Sequence, residues 1–305
     1  MDETVTYSHS KKALALIKMV RPPNSITAGI AVVAACLLAI NKGEKTFSPL
    51  TYLSISGAAF FVTAHAMVHN DIVDFEADKI NSPQRPLPSN IISMKTAKLW
   101  AIFLFFMACL SGIAIDVMLN LNYPISLGWA ILNAGLLDGY NLWFKKSGIW
   151  GNMVVGYVVS ALFIYADIIV SKKFTLRIES LALYAFFMNW GREVIKGIRD
   201  IEGDRVLGVK TIAVRFGAKG GAIVGSIMLF IAVIGTIPLI FDPQGSIAIP
   251  YILTVFNTII VYRCLKLIQH PTAQYANTTK RIFLYLMLLA VIVLMIDQMV
   301  LLFVS

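Results

Sequence analysis

Asn70-Asp71-Ile72-Val73-Asp74-Phe75-Glu76-Ala77-Asp78 has a counterpart in Lys196-Gly197-Ile198-Arg199-Asp200-Ile201-Glu202-Gly203-Asp204. In the first, Asn70, Asp74 and Asp78 are spaced i, i+4, i+8; in the second, Lys196, Asp200 and Asp204 keep that spacing. On an α-helix each such step turns the side chain by only about 40° and rises about 6 Å, so the spacing predicts one polar stripe per stretch. Acids this dense stand out in a chain with only 14% charged residues. Two such stripes facing each other would hold divalent cations and a polyanion.

Around these stretches the chain is apolar. Of its 305 residues 58% are hydrophobic, and the mean hydropathy is +0.75. A soluble domain carries roughly 25% charged residues. Apolar runs of about 18 residues or more recur along nearly the whole length, each long enough to cross a bilayer as a helix. The expected fold is therefore all-α, a polytopic membrane protein. Cys36, Cys109 and Cys264 are few and scattered, which predicts neither a disulfide framework nor a metal cluster. The polar start, Met1 to Lys12, has no signal-peptide pattern.

Nine spans are expected, at about 24–41, 49–70, 97–119, 123–143, 150–170, 178–196, 218–240, 246–268 and 282–304. Pro22-Pro23 should separate or kink an amphipathic stretch, Lys11 to Val20, that is suited to the interface. Of the 26 Lys and Arg, all but Lys42, Lys45, Lys172, Lys173 and Arg177 fall in the N-terminal segment or after even-numbered spans. The positive-inside rule then places the N-terminus in the cytoplasm and the C-terminus outside. It also explains the net charge of +9 without nucleic acid. Both acidic stretches lie at the cytoplasmic ends of spans 2 and 6. Four spans separate them, so a duplicated four-helix unit within one domain, 1–305, is a reasonable expectation. The motif loops, 70–96 and 192–217, are long for a compact bundle, as functional loops often are.

Asp74, Asp78, Asp200 and Asp204 supply hard carboxylate oxygens, and Asn70 a neutral one. That set suits Mg2+, which takes one or two carboxylates plus substrate phosphates. No His or Cys stands at zinc-ligand spacing beside them; His65 and His69 are i, i+4 but show no third ligand. Arg85, Lys145, Lys196 and Arg199 are the cations to neutralise a leaving diphosphate. Diphosphate at the aqueous end and hydrocarbon in a dry bundle describe an isoprenyl diphosphate. Each feature also has a plain reading. Charges at helix ends are often a solvated face, Arg85-Pro86-Leu87-Pro88 is a competent turn, and Tyr140 and Trp143 fit an interfacial aromatic belt. Asp116, Asp138, Asp167 and Asp297 lie in or near spans with no role assigned by the pattern.

The two acidic stretches resemble the motifs N-x-x-x-D-x-x-x-D and D-x-x-x-D of the UbiA superfamily of intramembrane prenyltransferases. The longer strings, Asn70 through Arg85-Pro-Leu-Pro-Ser89 and Arg192-Glu-Val-Ile-Lys-Gly-Ile-Arg-Asp-Ile-Glu-Gly-Asp-Arg205, resemble the branch that contains archaeal digeranylgeranylglyceryl phosphate synthases. The resemblance implies nine helices around a central cavity, capped on the cytoplasmic side by the loops after helices 2 and 6. It implies two Mg2+ ions held by Asp74, Asp78, Asp200 and Asp204, with Asn70 assisting. Arg85, Lys145, Lys196 and Arg199 would then meet phosphate, Tyr140 would face the allylic carbon, and Arg21 and Asn24 would line the acceptor side. Two positions depart from the branch. Asn90 stands where Gly is usual, and Asn tolerates positive φ; Ala213 stands where Pro is usual.

The reaction so implied is transfer of a polyprenyl group, geranylgeranyl first, from its diphosphate to geranylgeranylglyceryl phosphate in ether-lipid synthesis. An aromatic quinone precursor, of 4-hydroxybenzoate or naphthoate type, is the alternative acceptor. A transporter would carry its ionisable groups near the bilayer midplane rather than at the rim. A CDP-alcohol phosphotransferase would need a D-x-x-D-G-x-x-A-R string, which is absent.

Overall fold

A computed structural model describes residues 7–40, 46–206, 208–241 and 248–304, without the side chains of 248 and 301–304. Among these residues the regular structure is helical throughout, with no strand. Lys42 and Lys45, two of the five cations assigned to the outer side, lie outside the described residues.

The helices in chain order are α1 (His9–Met19), α2 (Pro22–Ala39), α3 (Pro49–Val73), α4 (Phe75–Asn81), α5 (Met94–Met118), α6 (Ile125–Leu142), α7 (Ile149–Val170), α8 (Leu176–Arg199), α9 (Ile201–Val206), α10 (Ile212–Gly235), α11 (Ile237–Ile240), α12 (Ala248–Gln269) and α13 (Ala273–Val304). Seven segments are long and apolar enough to cross a membrane: Pro22–Ala39, Pro49–Val73, Met94–Met118, Ile149–Val170, Ile212–Ile240, Ile249–Gln269 and Ala273–Val300. The expectation of nine spans is thus met by seven on length and composition. α6 and α8 have the length but are more polar, because Asp138 and Asn141, and Arg192, Glu193, Lys196 and Arg199, sit on them.

Local chemistry accounts for most helix ends. Ser48, Ser93 and Thr211 cap α3, α5 and α10 through their hydroxyls, and Pro49 opens α3 where no donor is needed. Two acids left without a role by the pattern prove to be caps. Asp116 accepts from the backbone N–H of Ser126 (2.8 Å) and Leu127 (3.1 Å), donors at the start of α6 that have no partner within the helix. Asp167, fully buried, accepts from the Thr175 N–H and hydroxyl at the start of α8. The break at Pro22-Pro23 is present, with Arg21 at φ +46° between α1 and α2. α13 starts nine residues before the expected 282, so Asn277 and Lys280 lie on its first turns. α10 bends at Gly217 (φ +73°), so the expected start at 218 marks the bend rather than the helix end.

The residues gather into two compact units, Met1–Ile30 with Phe47–Leu142, and Ala31–Thr46 with Trp143–Ser305. In the first, α3 packs on α5 and α6, with Val68, Leu87, Ile92 and Leu104 in its core. α2, α3 and α5 also line a cavity of about 410 Å3 with Ile26, Ile30, Leu53, Phe60 and Phe61. In the second, α8 packs on α7, α10 and α13 around Met188, Ile195, Leu229 and Phe283. A Cβ at Gly191 of α8 would lie 2.9 Å from the Gly225 carbonyl of α10, so glycine permits this crossing. Small residues that let backbones approach are how helices gain contact where lipid removes the hydrophobic drive.

Candidate active site

Both acidic stretches adopt one local structure, and it differs from the continuous helix that the spacing predicts. α3 ends at Val73, Asp74 sits at φ −82°, ψ 3°, and α4 resumes at Phe75. α8 ends at Arg199, Asp200 sits at φ −97°, ψ 7°, and α9 resumes at Ile201. These values fall in the sparsely allowed bridge region, where functional residues concentrate. The four-residue spacing survives because the turn after each middle acid, and the turn before Asp74, still close. Asp74 N–H donates to Asn70 O (2.9 Å), Asp78 N–H to Asp74 O (2.8 Å) and Asp204 N–H to Asp200 O (2.8 Å). Each long helix therefore stops at the middle acid, and a short helix carries the last one.

In the first unit the acids are tied to arginines. Arg21 donates to Asn70 Oδ1 (3.1 Å) and Asp71 Oδ1 (2.9 Å). Arg85 pairs with Asp78 and lies 3.5 Å from Asp71. Asp71 and Asp78 are buried, whereas Asp74 is half-buried. Asn70 donates to Asn141 Oδ1 (3.3 Å), and Asn141 donates to the Ala66 carbonyl (3.1 Å), which fixes α6 beside the end of α3. Tyr140, half-buried, precedes Asn141 on α6. Asn24 is exposed, its amide 3.9 Å from Met67 Sδ, and it enters none of the ion pairs among the described residues. Asn90 has φ +57°, the conformation for which Asn substitutes for Gly.

Deeper on α3, Asp138 joins the two histidines that lacked a third partner. It lies 3.1 Å from His65 Nε2 and 2.6 Å from His69 Nδ1. His65 Nδ1 is 3.0 Å from the Ala101 carbonyl, which can only accept.

In the second unit Arg199 grips Asp200 with two nitrogens, one at 2.8 Å, and donates to Asn277 Oδ1 at 3.3 Å. Lys196 and Arg192 both pair with Glu193, at 3.1 and 3.2 Å. Asp204 has its carboxyl raised above the usual range, first by burial and then by the charge of Asp200, against the Thr211 hydroxyl, Lys196 and Arg199. Lys145 is exposed, in the short 3-10 turn Phe144–Lys146. Sequence reasoning missed Asp71, Asn141 and Asn277. The first two adjoin residues it did single out, and Asn277 carried no signal.

The acids suit a hard divalent cation. Each stretch offers two carboxylates one turn apart across a helix break, and oxygen is the donor that Mg2+ takes. Among the described residues no group of three or more His, Cys, Asp or Glu is gathered as a ready-made metal cage.

Residues 28–288 match the UbiA prenyltransferase family, and the chain belongs to that family. It is a prenyltransferase. Among its relatives, a digeranylgeranylglyceryl phosphate synthase of Sulfolobus acidocaldarius is 32% identical over 266 residues, 87% of this chain and 91% of that one. One from Hyperthermus butylicus is 32% identical over 250 residues, 79% and 77% of the two chains. A solved structure described as digeranylgeranylglyceryl phosphate synthase in membranes superposes with a TM-score of 0.79 at 26% identity, covering 94% of this chain and 98% of that one. A UbiA homologue from Archaeoglobus fulgidus, bound to DMAPP and Mg2+, shares the fold with a TM-score of 0.65 at 14% identity over 92% and 98% of the chains.

Proposed function

We propose that this prenyltransferase transfers a geranylgeranyl group from its diphosphate to the hydroxyl of geranylgeranylglyceryl phosphate. The observation that carries the reading is the shared helix break at Asp74 and Asp200. It is supported by relatives named for that synthesis over most of the chain. Asp74, Asp78, Asp200 and Asp204 would hold Mg2+, two ions, with phosphate oxygens completing their shells, which explains why no protein-only cage is needed. When bound, the metal offsets charge that builds on the leaving group.

The chain's own residues do the rest. Arg85, Lys145, Lys196 and Arg199 draw the diphosphate oxygens, and Asn70 is oriented by Arg21 and Asn141. The C1–O bond of the prenyl diphosphate breaks with its electron pair on the departing oxygen. The acceptor hydroxyl oxygen bonds to C1, and its proton leaves with the diphosphate. Tyr140 presents a ring face to the allylic cation. The apolar helices hold the hydrocarbon and keep water from C1.

In this reading α6 and α8 also span the membrane, which makes nine spans, and the segments after α3 and α8 cap a central cavity on the cytoplasmic side. The C-terminus is then outside. A cysteine at Ser89, in a protein lacking the native cysteines, is expected to react with an impermeant thiol reagent from the cytoplasmic side only; labelling from outside reverses the orientation.

The deciding assay is diphosphate release by the purified protein with geranylgeranyl diphosphate and Mg2+. Release should require geranylgeranylglyceryl phosphate and should stop with EDTA. Release that answers to 4-hydroxybenzoate or a dihydroxynaphthoate instead would replace the acceptor assigned here.

A further inference from the structure

α8 and α13 run antiparallel in the second unit. Arg177 near the start of α8 donates to Gln298 of α13 (3.3 Å), and Arg199 at the end of α8 donates to Asn277 (3.3 Å). The two contacts keep nearly one register along the pair. One turn in from Arg199 and Asn277, that register sets Lys196 across from Lys280. Lys280 accordingly interacts electrostatically with Lys196, Arg199, Glu193 and Asp200. Glu193 pairs with Lys196 and Arg192, Asp200 pairs with Arg199, and Asp204 interacts with Lys196 and Arg199, so the nearby acids are all engaged. Among the described residues Lys280 forms no ion pair, although it is partly buried.

The rotation of α13 is held from its other side. Tyr275 and Thr279 lie on the face turned to α12, where Arg263 donates to Thr279 Oγ1 (2.7 Å) and stacks 4.0 Å over the Tyr275 ring. Asn277 and Lys280 therefore stay directed at α8. Arg192, Lys196, Arg199 and Lys280 share three acids, Glu193, Asp200 and Asp204, so one positive charge is left over and repels the others unless an anion joins them. A phosphate group is the anion with the charge and the acceptor oxygens for an ammonium beside a guanidinium.

We propose that Lys280, with Lys196, Arg199 and Asn277, forms a substrate-phosphate contact on the last helix, outside both acidic stretches. The inference rests on the reading of the chain as a prenyl diphosphate enzyme. Two sources supply the phosphate, the acceptor's monoester or the prenyl diphosphate, and kinetics separate them. Purified full-length Lys280→Met should raise KM about tenfold for one substrate only, with kcat little changed, because one charge-assisted hydrogen bond is lost. A rise confined to geranylgeranylglyceryl phosphate assigns the monoester; one confined to geranylgeranyl diphosphate assigns the diphosphate. Lys280→Arg should retain near wild-type KM.

Binding keeps the test independent of turnover. In melting experiments with sn-glycerol 1-phosphate and with Mg2+ plus inorganic pyrophosphate, Lys280→Met should lose the stabilisation that one of them gives the wild type. Without ligand it should melt no lower than wild type, since a repelled cation is removed. Unchanged KM values together with unchanged stabilisation would overturn the proposal, as would a lower melting temperature of the ligand-free variant. Absent turnover in the wild type, with the pyrophosphate or glycerol phosphate effect still dependent on Lys280, would overturn the assigned reaction and leave this contact standing.

Discussion

Asp74→Ala and Asp200→Ala are each expected to lower kcat by about a thousandfold while melting close to wild type. Loss of charge stabilisation for a leaving group is worth about 10²–10³ in rate, and a lost metal position adds to it. Stability should hardly move, because both residues sit at helix ends whose backbone bonds do not need the side chain. The Arg199–Asp200 pair is about a third exposed on each side, and exposed pairs contribute about 0–1 kcal/mol. Asp71→Ala should behave in the opposite way. Asp71 is buried between Arg21 and Arg85, so its loss leaves two guanidiniums facing each other and costs about 2 kcal/mol. Turnover assays and melting curves on the three purified variants check the contrast. Turnover retained by Asp74→Ala or Asp200→Ala would remove the metal-holding role from that residue.

The ion pairs of this structure also bear on how substrate is received. Arg85 with Asp78 and Arg199 with Asp200 join a residue proposed to hold metal to one proposed to hold phosphate. Without substrate the opposite charges satisfy each other. On binding, each acid would exchange its arginine for a metal ion and each arginine its acid for a phosphate oxygen. Neither charge need ever be left unpaired at the membrane surface.

The two acidic stretches were readable because spacing within one short segment is a local property. So was the break at Pro22-Pro23, and so was the tolerance of Asn90 for positive φ. The interruption of the helix at Asp74 and Asp200 was not, since an i, i+4 pattern is the same whether or not the middle residue bends. Pairings across long separations were hidden for another reason. Nothing near Asp71 points to Arg21, 50 residues away, and nothing near Arg199 points to Asn277, 78 away. α6 and α8 were readable as apolar runs at about 123–143 and 178–196, although the polar residues on them keep both out of the seven segments that are apolar enough by composition.

Gly148→Ala is expected to be the most damaging substitution of a residue that carries no functional group. Gly148 has φ +69° and ψ −87°, a conformation that an L side chain resists, so strain alone costs about 1–3 kcal/mol. An added Cβ would also meet the Lys210 carbonyl oxygen at a distance no such contact allows, its carbon at 2.9 Å and Thr211 Cα at 3.0 Å. All are backbone atoms, which cannot rotate away. Thr211 caps α10 through its hydroxyl and also bonds Asp204, so pushing on 210–211 disturbs a helix start and one of the proposed metal-holding acids together. The expected total exceeds about 3 kcal/mol, seen as a large drop in yield and melting temperature. Protein that survives should need more Mg2+ for half-maximal turnover. Gly128→Ala is the control, since nothing lies within 4 Å of its Cβ position on α6 and alanine favours the helix by about 0.5–1 kcal/mol. Wild-type stability and Mg2+ demand in Gly148→Ala would mean that the chain leaving the second acidic stretch is free to move, and that Asp204 is positioned by something other than this contact.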